Sequence, residues 1–164
     1  MTPTDAVVAQ ILANEGGVAD LGDGQGVTRY GQTAQWLAHW HLEPPTDAVS
    51  AAYNYTRWLE LTHLGDVVNA DAQVGFYVAD WAVHGGEQVA IRGLQRLVGV
   101  VPDGIIGPVT LEAVQDAPRR KLACQIVAAR ARDLGKLLAS QTVDRRKWAS
   151  GWLNRLAAQI ETLP

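Results

Sequence analysis

Six of the chain's 16 glycines fall between Asn14 and Thr33, at positions 16, 17, 22, 24, 26 and 31. Each glycine inside a regular helix or strand costs about 0.5–1 kcal/mol relative to alanine, so no long regular element runs through this stretch. Glycine-rich backbone serves tight turns and close approach to a ligand. The same segment gathers three acids (Glu15, Asp20, Asp23), a hydroxyl (Thr28) and a phenol (Tyr30). It reads as an active-site loop hung on the end of a helix.

That helix is legible from its ends. Thr2-Pro3-Thr4-Asp5 supplies a hydroxyl cap, a proline in the first turn and an acid at the positive end of the dipole. Val7, Val8, Ile11 and Leu12 recur at helical spacing, and Gly16-Gly17 stops the helix directly after Glu15. A carboxylate at a helix C-terminus faces the negative end of the macrodipole, which disfavours its ionised form, and partial burial acts the same way. An acid held protonated near neutral pH can serve as a general acid. A Glu before Gly-Gly is otherwise a solvated last-turn residue; the loop that follows is what singles Glu15 out.

The 164 residues are 48% hydrophobic, enough for one compact domain with its own core. The single cysteine, Cys124, excludes an intramolecular disulfide and, lying in an apolar helical run, is expected to be a buried, inert thiol. A net charge of −3 gives no basic footprint for nucleic acid. No apolar run reaches membrane-spanning length, and the N-terminus does not read as a signal peptide.

Downstream the pattern is helical throughout. Gln35–His41 forms a short helix with Trp36, Leu37 and Trp40; His39 and His41 flank Trp40 without a third ligand nearby, so no metal is expected. Asp20 to Gly24 lacks the alternating oxygen ligands of a calcium loop. Thr46-Asp47 caps a helix through about Leu61, with Val49, Tyr53 and Leu59 expected toward the core, and Leu64-Gly65-Asp66 reads as a break. Helices follow over about Asp71–His84 (Val74, Tyr77, Val78, Trp81), Glu87–Val98 (Val89, Ile91, Leu94, Leu97) and Gly107–Ala117. Arg119–Ser140 carries Leu122, Ile126, Leu134, Leu137 and Leu138 with Arg and Lys outside, and a last helix carries Trp148, Trp152, Leu156 and Ile160. Only Val18 to Thr33 suits a small hairpin.

Several of these segments together resemble one family. Glu15-Gly16-Gly17, the Asp-bearing Gly-rich loop and Thr28-Arg29-Tyr30-Gly31-Gln32-Thr33 resemble glycoside hydrolase family 108, the phage and bacterial N-acetylmuramidases. Asp80-Trp81-Ala82-Val83-His84-Gly85-Gly86 looks like that family's Asp-x-Ala-Val-Asn-Ser-Gly helix end. Leu94-Gln95-Arg96 through Asp103-Gly104-Ile105-Ile106-Gly107-Pro108-Val109-Thr110-Leu111 looks like its peptidoglycan-binding-type segment, and Gly151-Trp152-Leu153-Asn154-Arg155 like its C-terminal motif. Val18 stands where the family usually has an aromatic, Arg29, Gln32 and His84 replace Asn, Ile and Asn, and the loop is about one residue shorter.

The resemblance implies a mainly α, lysozyme-like helical domain with a small Gly-rich loop or β-hairpin beside the active-site cleft. Residues 1–84 would be the catalytic part and 85–164 a helical part that does not stand alone. It implies a peptidoglycan hydrolase cutting the β-1,4 bond between N-acetylmuramic acid and N-acetylglucosamine, with Glu15 as general acid. Asp23 and Thr28 are the candidates for managing the attacking water, with Asp20 as an alternative; Tyr30 and Gln32 are expected in the cleft. Asp80 and His84, one turn apart, are either a structural pair or sugar-binding residues lining it. A lytic transglycosylase or a catalytically silent wall-binding or phage structural module is the rival reading. The expected partner is bacterial peptidoglycan, for a monomer needing no cofactor and inserting in no membrane. Such an endolysin, made in the host cytoplasm for cell lysis, reaches the wall through a holin; a secreted effector would use a secretion system.

Overall fold

A computed structural model of the chain describes residues 1–20, 27–139 and 146–163. These residues form nine helices and one antiparallel hairpin, and they divide into two compact units, Met1–Gly65 and Asp66–Pro164. The mainly helical class is as expected. The boundary between the units falls after Gly65.

The first unit begins with α1 (Pro3–Glu15), capped reciprocally by Thr2 and Asp5: the Asp5 N–H donates to Thr2 Oγ1 at 3.1 Å and the Thr2 N–H to Asp5 Oδ2 at 2.7 Å. Strands β1 (Val18–Asp20) and β2 (Val27–Arg29) follow, pairing Val18 with Arg29 and Asp20 with Val27. Helices α2 (Ala34–Trp40) and α3 (Ala48–Leu61) complete the unit, with α1 packed on α3. Its core is Val7, Val8 and Ile11 against Ala51, Tyr55, Trp58 and Leu59. Trp36, Tyr55 and Trp58 cluster with ring centroids 5.6 to 6.2 Å apart, within the range of favourable aromatic pairing.

The buried face of α3 is Ala51, Asn54, Tyr55, Trp58 and Leu59; Val49 and Tyr53, expected inside, are 78% and 61% exposed on the opposite side. The break expected at Leu64-Gly65-Asp66 is instead the start of a short helix, α4 (Leu64–Ala70), whose Val67 and Val68 are buried.

The second unit is built on α5 (Ala72–Gly85), where Val74, Tyr77, Val78 and Trp81 are all buried. Asp71 caps it, accepting from the N–H groups of Gln73 and Val74 at 2.9 and 3.0 Å. Helices α6 (Glu87–Val98) and α8 (Arg119–Ala139) both pack on α5 and on each other; α7 (Pro108–Asp116) packs on α6 and α9 (Arg146–Glu161) on α8.

The Asp103-Gly104 turn is pinned by one buried side chain: Gln95 donates to Asp103 Oδ1 (2.7 Å) and the Ile105 carbonyl (3.0 Å) and accepts from the Gly104 N–H (2.8 Å). The Ile105 N–H and Gln95 amide hold the Asp103 carboxyl below the usual carboxylate range.

Three further expectations are corrected. Cys124 is exposed, because Leu122, Ala123, Ile126 and Val127 form the inward face of α8 and leave it outside. Val89 and Ile160 are 46% and 55% exposed. Arg130 is buried, although cations on α8 were expected outside.

Candidate active site

Glu15 is the last residue of α1, and Gly16 leaves the helix at φ 71°. Its carboxyl group lies against the Cα of Gly31, which sits at φ 76° in the turn after β2. A β-carbon at residue 31 would stand 2.7 Å from Glu15 Cδ, so any other residue there would push the Glu15 side chain aside and strain the turn. Two residues 16 positions apart in sequence thereby form one surface.

The turn that holds Gly31 is fastened on every side. Tyr30 has φ 54°, uncommon for a residue with a side chain, and its N–H donates to the Gly17 carbonyl at 2.9 Å. Its own carbonyl accepts from Tyr55 Oη on α3, also at 2.9 Å. Gln32 donates through Nε2 to the Ala51 carbonyl at 2.9 Å and accepts through Oε1 from Asn54 Nδ2 at 2.8 Å. Asn54 also donates to the Glu43 carbonyl at 2.9 Å. Helix α3 therefore sets where the Glu15–Gly31 surface lies.

This changes the reading of Gln32. It was expected to touch substrate, but it is 2% exposed and its amide is engaged at both ends within the protein. It ties the turn to α3. Asn54 and Tyr55, its partners in that task, were not anticipated; a buried polar Asn54 within the apolar stripe of α3 is the signal that marks them.

Thr28 lies in β2 opposite Ala19 and is buried. Tyr30 is half-buried. Asp20 ends β1, its side chain outside the described part of the chain, and Asp23 lies outside the described residues.

Asp80 and His84 belong to the second unit, where both join an ionic cluster linking α5, α8 and α9. Asp80 is fully buried. One carboxylate oxygen accepts from Arg130 Nη1 and from Gln159 Nε2 (2.8 Å), the other from Arg155 Nε (2.8 Å) and Nη2. Burial alone would raise its pKa, but the Arg130 and Arg155 guanidiniums outweigh that and hold it lowered. His84 Nε2 lies 3.2 Å from Arg155 Nη1, and Nδ1 3.4 Å from the Asp80 carbonyl. Arginine can only donate, so Nε2 accepts and the proton belongs on Nδ1. Both Asp80 oxygens are thus committed to side chains of its own unit.

Comparison with known proteins bears on the second unit first. Residues 89–157, running from α6 into α9, match the family described as "Predicted Peptidoglycan domain". No curated protein matches the chain. Among solved structures it is similar to SagA of Brucella abortus, with a TM-score of 0.72 and 27% identity over 96% of this chain and 91% of that one. The description names a peptidoglycan domain rather than a glycoside hydrolase family, and it relates residues 89–157 to peptidoglycan, while the similarity to SagA extends over the mainly helical fold of both units.

Proposed function

We propose that the chain is a peptidoglycan glycosidase, an N-acetylmuramidase that uses Glu15 as its general acid. The observation that carries this reading is the contact between the Glu15 carboxyl group and Gly31, on a turn held by Tyr55 and the Gln32–Asn54 pair. Such fixing keeps a proton donor in a productive position, and positioning of this kind supplies much of an enzyme's rate. The peptidoglycan-domain match supports the polymer on which the acid would act.

In the proposed reaction Glu15 protonates the glycosidic oxygen as the C1–O bond breaks and an oxocarbenium-like centre develops. Water adds to that centre, losing a proton to a base on the opposite face. Asp23 and Thr28 are the candidates for holding this water, with Asp20 as the alternative; Tyr30, on the same turn as Gly31, is a candidate sugar contact. A water-filled separation between acid and base corresponds to inversion.

Digestion of purified peptidoglycan by the wild type and Glu15→Gln, followed by mass spectrometry, tests the proposal. Reducing muramic acid ends that form with the wild type and vanish in the variant are expected. Anhydro-muramyl ends, one water lighter, would reassign the chain as a lytic transglycosylase working through the same acid. Absence of cleavage by folded wild type, or cleavage that survives Glu15→Gln, would overturn it.

A further inference from the structure

The second unit carries a concave basic surface that the proposed reaction does not use. Between α6 and α8 lies a groove of about 410 Å³, walled by Arg92 and Arg96 on α6 and by Arg132 and Lys136 on α8. Trp81 forms part of its lining, its ring reaching α6 because Gly93 has no side chain: a β-carbon there would lie 2.7 Å from Trp81 Cζ3. Val89 and Leu97 add apolar walls.

The charge balance of the groove is one-sided. Asp133 is the one acid among its described lining residues, and it pairs with Lys136 at 3.0 Å. Arg92 makes long hydrogen bonds to neutral groups, Gln88 Oε1 at 3.4 Å and the Pro102 carbonyl at 3.3 Å, and its charge is also felt by Asp103. Arg96 and Arg132 have no ion-pair partner among the described residues. Three arginines thus line one concavity on a chain whose net charge is −3. Guanidinium groups engage carboxylates through paired, directional hydrogen bonds.

We infer that this groove binds the acidic peptide stems of peptidoglycan, their carboxylates at Arg92, Arg96 and Arg132 and their short alkyl groups against Trp81, Val89 and Leu97. The inference rests on the peptidoglycan reading; all four cations lie within the matched segment 89–157. A stem ending in diaminopimelate offers several carboxylates to match the groove's several guanidinium side chains.

The test is calorimetric titration of the full chain with the N-acetylated tripeptide L-alanyl-γ-D-glutamyl-meso-diaminopimelate. The comparators are its fully amidated form and vesicles of phosphatidylglycerol. Saturable binding of the acidic tripeptide is expected. It should weaken between about 50 and 500 mM salt, where exposed charges become screened. It should fall roughly tenfold or more in R96E/R132E, which removes two charge-assisted contacts, and with the amidated peptide. The milder R96Q/R132Q, checked for an unchanged melting transition, should show an intermediate loss.

No tripeptide binding, binding indifferent to both variants, or vesicle binding without peptide binding would overturn the inference. The tripeptide has no glycosidic bond, so its binding and the cleavage assay fail independently. Turnover without tripeptide binding removes the groove alone, and tripeptide binding without turnover removes the muramidase assignment alone.

Discussion

At residue 31 the absence of a side chain leaves room for the Glu15 carboxyl group. Gly31→Ala would put a side chain into the volume of the Glu15 carboxyl group and force alanine to φ 76°. Backbone strain of this kind costs about 1–3 kcal/mol, which a folded unit can absorb. The displaced carboxyl is less forgiving, since a shift of about 1 Å can cost on the order of a hundredfold in rate. On the proposed mechanism the variant should melt somewhat below the wild type by circular dichroism yet lose nearly all peptidoglycan cleavage; full turnover in it would separate the Glu15–Gly31 contact from the proposed reaction. The end of α1 at Glu15 was legible because the helix cap, the apolar spacing and the double glycine all mark the same C-terminus. Gln32 was misread because sequence distance hides Ala51 and Asn54, which consume its amide.

Among the elements, α3 and α4 teach where apolar patterns mislead. On α3 the inward stripe runs through Ala51, Asn54, Tyr55, Trp58 and Leu59, so a small residue and an amide sit inside while Val49 and Tyr53 face out. Counting large apolar residues alone misses that stripe; following positions three and four apart recovers it. Helix α4 was hidden by Gly65, yet its Val67 and Val68 are buried and Val68 packs against α5 at Gly75. A β-carbon at residue 75 would lie 2.7 Å from the Val68 backbone nitrogen, and a backbone atom cannot swing aside. Alanine in a helix interior gains about 1 kcal/mol over glycine, but overpacking costs about 1–3 kcal/mol. The steric effect should win: Gly75→Ala is expected to lower the urea midpoint of unfolding, and an unchanged or raised midpoint would mean that α4 and α5 separate at little cost.

For the molecule as a whole, the sequence reads as one domain whose catalytic part runs to residue 84, through the helix end at Asp80–Gly86. The structure divides the chain at residue 65, and Asp80 gives the physical reason. Its carboxylate joins Arg130 of α8 and Arg155 and Gln159 of α9 to α5, so α5 belongs with the helices that follow it. Residues 50 to 79 positions apart meet there, a convergence that local periodicity does not record. Asp80→Asn would keep the shape but leave two buried guanidiniums without their anion, and breaking a buried pair in this way costs about 3–5 kcal/mol. The same cluster predicts an acid response. Because the folded pKa of Asp80 is lowered, the unfolded chain takes up its proton first, and acid favours unfolding. Its contribution is complete above the unfolded value of about 3.9 and is lost as pH falls through the lower folded value. Urea unfolding of the wild type and Asp80→Asn across pH 2 to 6 should therefore show a stability gap that is constant above about pH 4 and narrows below it. A gap independent of pH would mean that Asp80 stabilises the unit by shape rather than by charge.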